Sequence, residues 1–226
     1  MKPIVLDAIP VEEVLRYLGC SKESSAMTAL AESCSAELLA AAVPRWLYRV
    51  FDLIPAENES GVALAQCGFV LPGADITALL KHCEQAVLLC ATLSLGVDNL
   101  LRRAQLTDMS RGVVLDSCAT AAVEVLCDQV QAEIEVQFPG CYFTMRYSPG
   151  YGDLPLTIQK DFLQLLDAPK QIGLCATESC ILTPHKSVTA VIGIAKQPIN
   201  QHKRSCQTCN LRETCAFRKR EEYCGL

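Results

Sequence analysis

No stretch of the sequence approaches the roughly 20 consecutive apolar residues that a membrane-spanning helix needs. The longest candidate, "AVLLCATLSLGV" (86–97), is too short and too β-prone. Positive charge is also lacking. The formal net charge is −5, aromatic residues make up 6% of the chain, and no basic groove interleaved with aromatics can be traced. That balance argues against a general nucleic-acid binder or a membrane-surface protein. The three histidines form no Ser/His/Asp or Cys/His set. A signal-peptide pattern is missing as well: Met1-Lys2-Pro3 leads into a short apolar run and then Asp7. A cytoplasmic location is therefore expected, with thiols kept reduced.

What is present is ample apolar material. Half of the 226 residues are hydrophobic, enough for one large domain or two small ones. "VEEVLRYLGC" reads as a short helix with acids in its first turn and Gly19 at its end. An Ala-rich helix follows and stops at Pro44. "RWLYRVFDLI" and "GVALAQCGFVL" have strand composition, "DITALLKHCEQ" reads as a helix capped by Asp75, and "AVLLCATLS" reads as a buried strand. In the long helix that follows, Leu115, Cys118, Ala122, Leu126, Val130 and Ile134 recur at helical spacing and are expected to face the core. "CYFTMRYS" reads as a strand, "TIQKDFLQLLD" as a helix, and "CILTP" and "SVTAVIGIA" as two further strands. Strands and helices alternate irregularly, which predicts an α+β fold with a mixed, largely antiparallel sheet flanked by helices.

Cysteine is abundant, at fourteen residues. Those scattered one per element read as small buried apolar side chains. The last four differ. Cys206, Cys209, Cys215 and Cys224 follow the pattern C-x2-C-x5-C-x8-C in a segment with almost no apolar periodicity. Residues 201–226 hold six basic and three acidic side chains, +3, which leaves −8 for the remainder. The boundary is placed at 199, with 200–226 a cysteine-rich appendix. Thiolate–metal bonds replace missing burial in such small units. An iron–sulfur cluster is favoured over zinc, because a zinc ribbon usually shows a second C-x2-C and this segment does not.

The stretch "RYSPGYGDLP" (146–155) holds too much chemistry for a plain linker. Gly150 and Gly152 permit unusual backbone angles and close approach of a ligand. Arg146 suits a carboxylate, and Tyr151 offers a flat face with a hydroxyl. From these residues alone a ligand loop and a structural turn both stand.

Arg-x-x-Pro-Gly-Tyr followed by "ATESCILTPHKSVTAVIGI" resembles the S-adenosylmethionine-binding activation domain of cobalamin-dependent methionine synthase, in its stand-alone form. The resemblance spans residues 1 to about 196. It implies that Arg146 contacts the ligand's carboxylate, that the backbone at Ser148 and Gly150 meets its polar groups, and that Tyr151 lies against it. It also raises Glu124 as the acid on the preceding helix; by periodicity Glu124 belongs to a polar stripe with Asp116, Thr120 and Asp128 and reads as solvated. Glu178 is expected to orient the loop. Two features of the family are not found here: its aspartate near the start of the domain, for which Asp7 is a weak candidate, and a tyrosine-containing segment after the last apolar strand.

The activity so implied is reactivation of cob(II)alamin. The domain presents the S-adenosylmethionine methyl group to cobalt, while flavodoxin or ferredoxin supplies one electron. No "D-x-H-x-x-G" cobalamin segment occurs, so the expected partner is a separate methionine synthase or another corrinoid protein, with this chain as accessory component. Two alternatives are an iron–sulfur electron-transfer or nucleic-acid-associated protein that binds no S-adenosylmethionine, and a conventional methyltransferase. Against the last stands the lack of a strand–G-x-G-x-x-G–helix unit.

Overall fold

In the computed structural model, residues 4–20, 25–55 and 61–199 are described. The cysteine-rich appendix, with Cys206, Cys209, Cys215 and Cys224, lies outside them. Helices α1 (Val11–Tyr17) and α2 (Ser25–Ala41) come first. Strands β1 (Arg45–Pro55), β2 (Gly61–Leu64) and β3 (Val70–Pro72), helix α3 (Ala74–Leu80) and strand β4 (Gln85–Thr92) follow. Then come α4 (Leu95–Thr107), α5 (Met109–Gln137), β5 (Tyr142–Phe143), α6 (Gln159–Leu165), α7 (Ala168–Ile172), β6 (Cys175–Ala176), β7 (Leu182–Thr183) and β8 (Ser187–Ala195). Six strands form one sheet in the order β3-β2-β1-β4-β8-β5, with every described pairing antiparallel. β6 and β7 make a separate two-stranded hairpin. The α+β expectation holds.

Alternation along the central strands divides the interior into two cores. Val87, Leu89 and Ala91 of β4 face α1, α2, α4 and α5, while Ala86, Leu88 and Cys90 face α3, α6 and α7. β4 is buried on both faces, which is why it reads as a continuous apolar run. All six positions expected to face the core from α5 are buried. The break between α4 and α5 falls at Asp108, whose side chain accepts a hydrogen bond from the Arg111 N–H at 3.1 Å.

Two local expectations are corrected. Asp75 does not cap α3: it sits inside the first turn, Gly73 is the N-cap residue, and the capping carboxylate is that of Asp153. The segment "CYFTMRYS" is a strand only at Tyr142–Phe143 and rejoins the sheet through a single bridge, Tyr147 to Val191. Between these pairings, residues 143–147 count one residue more than 191–194 of β8, the signature of a β-bulge. Thr144 fills the gap: its N–H donates to the Gly193 carbonyl at 3.0 Å, and its Oγ1 accepts from the Gly193 N–H at 2.8 Å.

Candidate functional site

The bulge decides where Arg146 goes. The Arg146 guanidinium reaches α5, where Nη2 donates to Asp128 Oδ1 at 2.7 Å and Glu124 Oε2 at 3.0 Å, and Nη1 donates to Gln131 Oε1 at 3.1 Å. Burial alone lowers the pKa of Arg146. The hydrogen bond to Asp128 and the charges nearby, those of Asp128 and Glu124 among them, outweigh it, and the net shift is upward. Arg146 is therefore a fixed cation. Asp116 and Thr120, two turns and one turn before Glu124 on α5, hold Lys186 at 2.9 and 3.0 Å. The polar stripe expected to be solvated is thus a seam that holds two cations from the second half of the chain.

Beside this seam lies a trough of about 870 Å³, within the range of small-molecule sites. One wall is α5, with Glu124, Asp128 and Gln131; α1 adds Glu13 and Tyr17. The opposite wall is the 146–156 loop with Ser148, Pro149 and Tyr151, and the β6–β7 hairpin adds Cys180 and Leu182. Two buried polar side chains line it deeper in: the Gln159 Nε2 donates to Thr189 Oγ1 at 2.7 Å. The trough follows the part of β8, Ser187–Thr189, that pairs with β4 on one side and has no strand partner on the other among the described residues. Formal charge in the lining is three carboxylates against one guanidinium. Such a site suits a ligand with net positive charge that also carries a carboxylate.

The loop is shaped by its own hydrogen bonds. The Gly150 N–H donates to the Leu154 carbonyl at 2.8 Å, Tyr151 N–H to Ser148 at 3.0 Å, and Leu154 N–H to Tyr151 at 3.0 Å. Gly150 has φ +93°, a conformation open to glycine. The Ser148 carbonyl and the Gly150 N–H are thus both used within the loop itself. Tyr151 is 47% exposed at the mouth of the trough and packs edge-on against Tyr147, with ring centroids 5.9 Å apart.

The structure brings Glu124, Arg146, Ser148 and Tyr151 to one trough. Gly150 belongs to the same loop without lining it. Glu178 is at the exposed turn of the β6–β7 hairpin and is not among the lining residues. Asp7 is not in the lining either. Sequence reasoning missed Glu13, Tyr17, Asp128, Gln131, Gln159 and Thr189. Only Asp128 carried a signal, one turn beyond Glu124 on the same stripe. Among the described residues no group of three or more His, Cys, Asp or Glu side chains is arranged to hold a metal ion. Nor is any described helix long and apolar enough to cross a membrane.

Residues 107–202 match the family model described as "Vitamin B12 dependent methionine synthase, activation domain". The similarity covers 96 of the 226 residues, less than half of the chain. The matched segment contains every trough residue except Glu13 and Tyr17, which come from α1. Among solved structures, a crystal structure of the MetH reactivation domain bound to AdoHcy aligns with a TM-score of 0.57 and 11% identity, covering 96% of this chain and 85% of that one. At that identity the likeness is one of fold, and it extends the activation-domain architecture to the N-terminal helices. No curated protein matches by sequence.

Proposed function

We propose that this chain binds S-adenosylmethionine in the Arg146 trough and presents its methyl group to the cobalt of a corrinoid carried by another protein. The observation that carries this reading is the convergence of Arg146, Glu124, Asp128 and Tyr151 on one trough inside the segment that matches the activation-domain model. S-adenosylmethionine has a sulfonium, an ammonium and a carboxylate. Arg146 is the partner for the carboxylate, using N–H groups that α5 does not occupy and exchanging Asp128 for the ligand. The excess of carboxylates in the wall favours the cationic groups. Tyr151, at the mouth, lies against the ligand on the side open to a partner. That the related MetH structure holds AdoHcy, the demethylated form, supports the same reading.

The ligand supplies the methyl group, and an external donor supplies the single electron that cob(II)alamin needs. What this chain contributes is orientation, holding the methyl carbon for in-line transfer. By their spacing alone, Cys206, Cys209, Cys215 and Cys224 would be the residues to hold a metal centre, which as an iron–sulfur cluster would supply a one-electron relay. Calorimetric titration tests the ligand assignment. The wild-type chain is expected to bind S-adenosylmethionine. Arg146→Ala is expected to weaken binding about 10- to 100-fold, the loss of a hydrogen-bonded charge pair. Unchanged binding in that variant would refute the assignment.

A further inference from the structure

Gly152 and Asp153 lie near the end of the 146–155 loop and do not line the trough, yet their surroundings are tightly specified. The Asp153 carboxylate accepts from the Ala74 N–H at 2.6 Å (Oδ2) and from the Asp75 N–H at 3.1 Å (Oδ1). These are backbone donors of the first turn of α3, which has no side-chain cap of its own. The N-cap residue is Gly73, with φ +126° and ψ 148°, a region that essentially only glycine occupies. A Cβ on Gly73 would overlap Asp153 Oδ1, and a Cβ on Gly152 would overlap both Asp75 Oδ2 and the Tyr147 hydroxyl. Helix and loop therefore meet through two glycines and two carboxylates, 78 or 79 residues apart in sequence.

We propose that Asp153 is a positioning residue for ligand binding: it ties the 146–155 loop to α3 and, with Asp75 and Tyr147, fixes where Tyr151 presents its ring. This inference rests on the ligand assignment made above. The chain of contacts is continuous. Tyr147 is pinned to β8 by two backbone hydrogen bonds with Val191, at 2.9 and 2.8 Å. Its hydroxyl lies against Asp75, and its ring forms the edge-to-face contact with Tyr151. Burial, then the charges of Asp75 and Asp153, raise the pKa of the Tyr147 hydroxyl, so it stays protonated and able to donate. Helix α3 packs on the core face opposite α5. The two walls of the trough are thereby referenced to opposite layers of the fold.

Amide hydrogen exchange on the ligand-free full chain reads this tie without any ligand. Asp153→Ala is expected to speed exchange at Ala74, at Asp75 and through 147–154 by about tenfold or more, and to weaken S-adenosylmethionine binding about three- to tenfold. Ala74→Pro added to Asp153→Ala removes the orphaned donor at the first helical position and stiffens the first turn of α3 while the loop stays untied. That double variant is expected to recover protection in α3 but neither loop protection nor affinity. Recovery of affinity together with α3 would show that Asp153 acts only through helix stability, and would overturn the proposal. Unchanged exchange at 147–154 in Asp153→Ala would overturn it too. A wild-type chain that binds no S-adenosylmethionine would sink the ligand assignment, and the exchange comparison would still decide the tie.

Discussion

Arg146 is shared between α5 and the trough, and the terms of that sharing set what its neighbours do. Asp128 is its closest acceptor at 2.7 Å, but the Asp128 side chain is 68% exposed. An ion pair so open to water contributes about 0–1 kcal/mol, so exchanging it for a ligand carboxylate costs little. Asp128→Asn is accordingly expected to change S-adenosylmethionine affinity by no more than about threefold, as read by calorimetry. A loss as large as that expected for Arg146→Ala would mean that Asp128 itself holds the ligand. Arg146, Ser148 and Tyr151 were legible in the sequence because the loop concentrates glycine, proline, arginine and tyrosine in six residues. Gln159 and Thr189 were not, because a glutamine and a threonine look alike in sequence whether they lie at a trough or at the surface.

Among the elements, β5 has the most consequence for its length. One extra residue between Phe143 and Tyr147 ends regular pairing and leaves part of β8 open as a border of the trough. Gly193 is the residue on β8 that permits it. A Cβ there would meet Cys83 Sγ at 2.5 Å, Leu80 Cδ2 at 2.7 Å and Thr144 Cγ2 at 3.0 Å. Gly193→Ala is expected to cost about 1–3 kcal/mol in denaturant unfolding and to weaken ligand binding by displacing the bulge. Stability lost with affinity intact would separate the bulge from the site. The long helix α5 and the buried strand β4 were readable because periodicity and apolar runs are local signals. The capping of α3 by Asp153 and the pairing of the α5 stripe with Lys186 and Arg146 were not, since periodicity shows that a face is polar but not what it meets.

Across the molecule, buried thiols couple stability to pH. Burial pushes Cys83 up to about 11 and Cys90 and Cys127 up to about 12, from an ordinary value of 9.0. For Cys127 the Arg146 charge opposes part of that rise. Unfolding releases these groups to ionise at their ordinary value. Their raised folded pKa values thus contribute stability in full below about pH 9 that is lost as pH climbs toward 12. The urea midpoint is expected to fall across that window; a midpoint flat to about pH 11 would contradict the burial of these thiols. At this scale the α+β class and the trough-bearing second half were legible, whereas the part played by α1 was not. Glu13 and Tyr17 reach the trough only because α1 packs on α5 more than a hundred residues away in sequence. The central claim is that the assembled trough delivers a methyl group to a corrinoid on another protein. It is tested most directly by incubating the full chain with methyl-labelled S-adenosylmethionine, a one-electron donor and a cob(II)alamin-bearing methionine synthase that lacks its own activation module. Label recovered on the corrinoid with the wild-type chain, and lost with Arg146→Ala, is the result expected. Label transfer that is absent with the wild-type chain, or equal in the two, would contradict the account.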